Sequence, residues 1–383
     1  ADPRALLLAA LDSHTFPRDI DVIAAGKAAP AMLRAFAERY STARTIVAAG
    51  SHPLPDERSV AAGEQALALA DAARASGREF VVLLSGGASA MLSAPAGGLS
   101  LEMKRGVTER LLSAGVPIHE LNAVRKHLSR IKGGRLARDL TCTTFALSDV
   151  TDDDPAAIGS GPTVADGSTL DDARRVLERT GVARDMPEVL AAIARAGETP
   201  KPGDPALARS RYVLIGGRRT AMDGVADAAL ARDFAAITFD EPITGDASAA
   251  GRAFAARALG AARRIGGQAV VIASGETTVQ VRGEGVGGRN QEFALSAAME
   301  IASASARMTL AAVGTDGVDG NSHAAGAVVD STTVLRAREA GFDIRGVLAR
   351  NDSSALFTAL DNLIVTGPTG TNVGDVFIAM IDG

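Results

Sequence analysis

The chain has no tryptophan, two tyrosines and one cysteine, and only 3% of its residues are aromatic. A lone cysteine, Cys142, cannot close an intrachain disulfide. That excludes a disulfide-stapled scaffold and points to a reducing, cytoplasmic setting. No apolar run approaches the ~20 residues that a membrane-spanning helix needs. Near the N-terminus no basic segment leads into an apolar run with a cleavage pattern, so no secretory signal is expected. Nor is charge of one sign in excess. There are 40 Lys and Arg against 45 Asp and Glu, a net charge of -5, which leaves no global basic footprint for nucleic acid. Fixed-period repeats are absent too. What remains is a chain of 383 residues that is 46% hydrophobic. This excludes a disordered chain and predicts a soluble, enzyme-sized protein with an aliphatic core, most simply in two domains.

Short aliphatic runs ending in glycine or a polar turn recur along the chain. They predict strands over 19–26, 45–50, 80–87 and 145–149, with helices over 57–75 and 101–114 between them. Continuous apolar runs fit strands buried on both faces, and their alternation with helices predicts βαβ units around a mostly parallel sheet. The rhythm restarts downstream. Strands are predicted over 212–217, 235–239, 268–274, 308–314 and 362–365, and helices over 220–230, 248–265 and 291–304. The proline-rich stretch with Pro200, Pro202 and Pro205 predicts a boundary between domains 1–204 and 205–383.

In α/β proteins ligands bind outside the carboxyl ends of the strands, so the residues just after each run are the candidates. Lys27, in GKAAP, leaves a buried strand and opens a helix, where it either contacts a phosphate or carboxylate or is a solvated lysine of a βα loop. Ser85-Gly86-Gly87-Ala88-Ser89 has the composition of an anion nest of amides and hydroxyls, with a simple tight turn as its alternative. Asp149 and the run Asp152-Asp153-Asp154 suit a hard cation such as Mg²⁺, or a solvated acidic turn. Gly283 to Gly288 matches G-x-G-x-x-G, but Glu284 inside the loop would repel a pyrophosphate. Arg289 just beyond it reads better as an anion clamp. Asp316 and Asp319 share a glycine-rich turn suited to a metal or a hydroxyl, with a cluster of Asx turns as the alternative. Three histidines, His52, His119 and His127, are acid/base candidates, although a packed or solvated residue is the commoner role for each. In the basic segment from Val124 to Arg135, Lys126, Arg130 and Lys132 either face a polyphosphate or form a solvated helix face, the more common outcome. No Walker A loop, G-x-S-x-G elbow or structural zinc spacing is present.

Taken in order, these motifs resemble the class II glycerate kinases, the family with a C-terminal MOFRL domain. The resemblance is carried by AAGKAAPAM (24–32), SHPLPDE (51–57), LLSGGASAML (83–92), LNAVRKHLSRIKGGRLA (121–137), SGETTVQVRGEGVGGRNQE (274–292), GTDGVDG (314–320) and TGPTGTNVGD (366–375). To these is added the interrupted set SDV, DDP and IGSGPT within 148–163. It implies a Rossmann-like first domain, a MOFRL-type α/β second domain and an active site in the cleft between them. The implied activity is transfer of a phosphoryl group from ATP, with Mg²⁺, to the 2-hydroxyl of D-glycerate. Lys27, Arg289 and Asp316 are the implied catalytic residues. His52, Ser85, Gly86, Gly87, Ser89, Asn290 and Asp319 would bind substrate. Lys126, Lys132, Ser160 and Gly161 would hold the nucleotide, and Asp149 and Asp154 the metal. The chain departs from the family pattern at Gly374, where Asn is common, and at Thr151-Asp152. The expected partners are these small molecules, with no nucleic acid or membrane, and a homo-oligomer is left open. The alternative activity is an NAD(P)H-dependent hydroxypyruvate reductase, for which Gly283 to Gly288 would be the cofactor loop.

Overall fold

A computed structural model describes residues 2–17, 19–265, 267–304 and 307–382. The chain divides into two compact units, Asp2–Ile215 and Gly216–Gly383.

The first unit is built on strands β1 (Ile20–Ala25), β2 (Thr42–Val47), β3 (Phe80–Leu84), β4 (Cys142–Leu147) and β5 (Ser210–Gly216). Their order is β2-β1-β3-β4-β5, and the pairs β1–β2, β1–β3 and β3–β4 are parallel. This is the strand order of one of the two common doubly wound folds, with a switch point between β1 and β3. Every residue of β1, β3 and β4 is buried, as their unbroken apolar runs require. Strand β2, at the edge, alternates between half-buried and exposed. The long helix Glu57–Ser76 starts at a capping box of Asp56 and Ser59 and stops at Gly77, whose φ of 66° suits only glycine well. A separate helical layer packs Val107, Leu111, Leu121, Val124, Val176, Leu177 and Val189 together. It is formed by helices Leu101–Ser113, Ile118–His127, Leu170–Arg179 and Pro187–Ala196, and it carries much of the cationic residue set discussed below.

The second unit holds β6 (Ala235–Thr238), β7 (Ile243–Asp246), β8 (Ala269–Thr278), β9 (Met308–Gly314), β10 (Gly326–Asp330), β11 (Leu363–Ile364) and β12 (Asp375–Ile381). The sheet runs β11-β10-β9-β12-β8-β6, with β7 also on β8. Strands β6 and β7 are parallel to β8, while the remaining pairs are antiparallel. Helix Arg289–Ile301 is deeply buried, and Phe293 stacks on Phe377 of β12 at 4.0 Å between ring centres.

Two expectations need correcting. The division falls at Ile215/Gly216 and not at 204/205. The strand predicted after the prolines joins the first sheet as β5, where Cys142 N donates to Arg209 O at 3.1 Å. The second sheet is mixed and does not repeat the parallel rhythm of the first. Strands β7, β10 and β12 had not been expected, and β12, inserted between β8 and β9, makes the centre antiparallel.

Candidate active site

A cavity of about 1400 Å³ lies within the first unit. Its walls come from the carboxyl ends of the strands and from the helical layer. Beyond β2 lie His52 to Pro55, beyond β3 lie Gly87 and Ser89, and beyond β4 lie Asp149, Asp152 and Asp154. The helices add Lys104, His119, Asn122, Arg125 and Lys126, followed by Lys132 and Ser160 from the next turns.

The switch point is tightly built. Gly26 has a φ of 112°, and a Cβ there would lie 2.3 Å from Ser85 O. Lys27 N donates to Gly86 O at 2.8 Å, and Ala28 N donates to Ser85 Oγ at 3.0 Å. Ser85 is therefore a buried tie between the β1 and β3 turns, and its hydroxyl already serves the backbone. Gly86 lets Asp149 approach, since a Cβ there would meet Asp149 Oδ2 at 2.3 Å. Gly87, with φ 86°, gives His52 room in the same way, its absent Cβ being 3.2 Å from the imidazole Cδ2. Burial, with Lys27 as a smaller influence, lowers the pKa of His52 and favours its neutral form.

The cations of the cavity differ in how they are held. Lys126 Nζ pairs with Asp166 Oδ1 at 3.0 Å, and both residues are buried. Burial alone would raise the pKa of Asp166, but Lys126 and the Ser168 hydrogen bonds outweigh it and keep the carboxyl below its usual range. Lys132 Nζ donates to Ser89 O and Ser89 Oγ, each at 2.8 Å, and to Gly159 O at 3.2 Å. Ser89 and Ser160 hydroxyls lie 2.8 Å apart. Lys104 Nζ donates to Ser93 Oγ at 2.8 Å. Burial, then Arg125, pushes Lys104 down to about 7. Burial, then Lys104, Arg125 and Lys126, pushes Lys132 well below the usual lysine range.

The structure thus gathers His52, Gly87, Ser89, Lys126, Lys132, Ser160, Asp149 and Asp154 around one cavity. Ser85, Gly86 and Gly161 do not line it. Gly161 has φ 61°, and its N–H closes a turn onto Ile158 O at 3.0 Å. His127 is buried, with its ring nitrogens 2.8 Å from Ala123 O and from Glu198 Oε1, as the packing alternative expects. Arg130 pairs on the surface with Glu64 at 2.6 Å and is not in the cavity wall. Lys104 and Arg125 were not singled out from the sequence. The signal was present for Lys104, since it shares the buried face of helix Leu101–Ser113 with Val107, Thr108 and Leu111, at spacings that put apolar residues in a core.

The second unit has its own polar cluster. Arg289 donates from Nε to Asp375 Oδ2 at 2.6 Å, from Nη2 to Asp375 Oδ1 at 3.1 Å and from Nη1 to Glu276 Oε1 at 2.8 Å. Burial would loosen the Arg289 proton, but the two carboxylates more than compensate and raise its pKa. Burial pushes Asp375 up to about 6, against the pull of Arg289. Asp319 accepts from Asn290 N and Gln291 N, each at 2.9 Å, and so caps helix Arg289–Ile301 from a distant loop. A Cβ on Gly288 would meet Asp319 Oδ1 at 2.3 Å. Asp316, partly buried, accepts from Val318 N at 3.2 Å. The G-x-G-x-x-G loop packs on the chain itself. Cβ atoms at Gly283 and Gly285 would lie 2.4 and 2.6 Å from Arg350 O. Those glycines accommodate a neighbouring loop, which removes the reason a dinucleotide would need them.

The first unit is therefore a doubly wound α/β unit with a cavity lined by charges of both signs at the carboxyl ends of its strands, and the second is a mixed α/β unit. A family profile described as a domain of unknown function, DUF4147, matches residues 1–195, and the MOFRL family profile matches residues 269–375. The glycerate 2-kinase of Pyrococcus horikoshii is 37% identical over 384 residues, covering 94% of this chain and 87% of the relative. An Agrobacterium vitis protein with the provisional name hydroxypyruvate reductase is 39% identical over 409 residues, covering 100% of this chain and 91% of the relative. The crystal structure of a glycerate kinase from Thermotoga maritima matches with a TM-score of 0.89 at 33% identity, covering 100% of this chain and 95% of that one. The chain belongs to the MOFRL-domain glycerate kinase family.

Proposed function

We propose that this protein is an ATP- and Mg²⁺-dependent kinase that phosphorylates the 2-hydroxyl of D-glycerate, giving 2-phosphoglycerate and ADP. The observation that carries this reading is the cavity of the first unit, where Lys104, Arg125, Lys126 and Lys132 share one wall set with Asp149 and Asp154. Phosphoryl transfer consists mainly of positioning and charge neutralisation, and this inventory supplies both. Relatives named as glycerate 2-kinases support the acceptor.

Mg²⁺ takes one or two carboxylates and completes its shell with water and phosphate oxygens. The donors fit that habit. Among the described residues no group of three or more His, Cys, Asp and Glu side chains is placed to hold a metal, and Asp149 and Asp154 on the loop after β4 are the carboxylates that would share it. Bound there, the ion would neutralise charge on the nucleotide phosphates. His52, kept neutral by burial, is suited to accept a hydrogen bond from a substrate hydroxyl. Lys27, at the switch point, would neutralise charge developing on the transferred group. Asp316 would orient or deprotonate the acceptor hydroxyl. Arg289 would clamp the glycerate carboxylate or the phosphoryl group through the second N–H groups of Nη1 and Nη2, its other contacts being Asp375 and Glu276.

The test mixes the protein with D-glycerate, ATP and Mg²⁺ and follows ADP release, with phosphorus NMR of the product. A 2-phosphoglycerate signal is expected. The name of the Agrobacterium relative motivates a parallel assay with hydroxypyruvate and NADH. NADH consumption without ADP release would overturn the kinase reading. Substituting Lys27 or Asp316 by Ala should lower kcat by about 10²-fold or more, since each would remove several kcal/mol of transition-state stabilisation. Near wild-type turnover in either variant would remove that residue from the catalytic set.

A further inference from the structure

In the second unit the glycine-rich segment from Val279 to Gly288 joins β8 to helix Arg289–Ile301 without forming helix or strand. Its backbone is nevertheless matched by other parts of the unit. Asn351 Oδ1 accepts from Arg282 N at 2.7 Å and from Gly283 N at 3.1 Å. Gly285 N donates to Arg350 O at 3.1 Å, and Val286 N donates to Asp352 Oδ1 at 3.2 Å. Asn321 Oδ1 accepts from Gly287 N at 2.9 Å, and Asn321 N donates to Gly287 O at 3.2 Å. N–H groups spent in this way are not free to cradle a phosphate. Asn351 is the centre of the arrangement. Helix Ile344–Ala349 ends on it, with Asn351 N donating to Leu348 O at 3.2 Å and Asp352 N to Val347 O at 3.0 Å, and its φ is 55°. These are the bonds of a helix end whose left-handed residue is usually glycine. Glycine would hold that backbone at no steric cost, so the backbone does not account for an asparagine. The side chain does. Its oxygen holds the two loop amides, while Nδ2 donates to Gln280 O at 3.2 Å and to Glu292 Oε1 at 2.7 Å. An amide side chain offers two donor and two acceptor positions, and here all are used in a residue only 9% exposed. Glu292 lies in the first turn of the helix that Arg289 opens. One amide thus ties the start of the loop to the start of the helix, and Asn321 holds the loop just ahead of Arg289.

We propose that Asn351 is a positioning residue for Arg289, fixing the glycine-rich loop against the first turn of helix Arg289–Ile301 before any ligand arrives. The glycines serve the same end. Cβ atoms at Gly283 and Gly285 would strike Arg350 O, and one at Gly287 would lie 2.3 Å from Ser353 Oγ, so each lets the loop lie close against segment 350–354. The loop is ordered by the chain and not by a cofactor, and its order is passed to the residue that follows it. The catalytic consequence rests on the kinase reading, with Arg289 as a substrate contact. The anchoring of the loop does not.

Asn351→Gly tests the amide alone, because it keeps the left-handed backbone. Hydrogen exchange of the whole protein, followed by mass spectrometry, reads the loop without a ligand. Peptides covering 280–288 should exchange slowly in the wild-type protein and about tenfold or more faster in Asn351→Gly, with peptides of β12 unchanged. In steady-state assays Asn351→Gly should lower kcat/KM for D-glycerate about tenfold or more, while the KM for ATP stays within about twofold. In an Arg289→Lys background the same substitution should change kcat/KM by no more than about twofold, since a residue that acts through the guanidinium has little left to act on. A mere loss of folded protein would lower activity by the same factor in both backgrounds. Asn351→Asp provides a second variant. It keeps an oxygen for Arg282 N and Gly283 N but sets a carboxylate against Glu292, and adding Glu292→Gln restores a donor there, so the pair should regain part of the kcat/KM that Asn351→Asp loses. Loop exchange that is fast in the wild-type protein and slowed only by added NADH or ATP, equal losses in the two backgrounds, or no recovery in the pair would each overturn the proposal. Loop protection that depends on Asn351, without turnover of ATP and D-glycerate, would sink the kinase reading and with it Arg289 as the target, and leave the anchoring of the loop standing.

Discussion

The two units bury positive charge in opposite ways. In the first, the buried amines of Lys104 and Lys132 are held by neutral oxygens alone, Ser93 Oγ for one and Ser89 and Gly159 for the other. In the second, Arg289 is paired with Asp375 and Glu276, and its helix start is capped by Asp319. In the first arrangement burial and mutual repulsion both act against the charged amines. The second is closed on itself and ties the starts of helix Arg289–Ile301 and β12 to the end of β8. The contrast separates amines held by neutral oxygens from a guanidinium held by carboxylates. Residue type alone does not make that distinction, and partners do.

Removing Arg289 is the severest way to test it. Arg289→Met leaves Asp375, 1% exposed, without its counter-charge, and should cost about 3–5 kcal/mol of stability in denaturant unfolding at pH 8. The loss should shrink on going to pH 5. Asp375 already titrates near 6, above its ordinary 3.8, and losing the guanidinium raises it further, so below that pH the buried group is neutral. In the wild-type protein the same raised carboxyl makes its contribution to stability fall as pH rises from about 4 to about 6. Should Arg289→Met keep its stability and lose only turnover, the guanidinium acts on the substrate and the fold does not depend on it.

Lys104→Met should have the opposite sign. It removes a buried amine whose charged form is disfavoured by burial, and should stabilise the protein by on the order of 1–3 kcal/mol. A loss of stability would refute the reading of the first unit as strained by its own cations. The lysine also sets a pH dependence. Its pKa is about 7 in the folded protein, against 10.5 for an ordinary lysine, so between these values the unfolded chain holds a proton that the folded chain lacks, and this contribution makes stability rise with pH.

The doubly wound core was legible because runs such as FVVLL in β3 and CTTFAL in β4 are buried on both faces and carry no charged interruption. The antiparallel centre of the second unit was not. Strand β12, DVFIAMI, is as apolar as the parallel strands, and periodicity cannot state which neighbours it will pair with. At the site, His52, Gly87, Ser89 and Asp149, singled out by position after a strand, line the cavity. The same rule overreached at Ser85, whose hydroxyl is taken by Ala28 N, because a turn residue with the right chemistry can be spent on the backbone. It missed Lys104, which lies within a helix, where the cue was a lysine on an apolar stripe.

The smallest expected effect distinguishes the two roles proposed for Asp319. The resemblance implies a substrate ligand, whereas the structure shows a carboxylate accepting Asn290 N and Gln291 N at 2.9 Å. If the cap is its whole role, Asp319→Ala should cost about 1 kcal/mol, within the ~0.5–2 kcal/mol that lost N-caps show, with the KM for D-glycerate unchanged. Asp319→Asn, which keeps one acceptor oxygen, should recover part of the loss. The cost is small because burial already pushes the Asp319 carboxyl above its usual pKa, so the lost hydrogen bonds are partly offset by removal of a poorly solvated charge. A rise in the glycerate KM at unchanged stability would move Asp319 back to the substrate. Its charge would then serve a ligand, while Arg289 and Asp375 stay paired with each other.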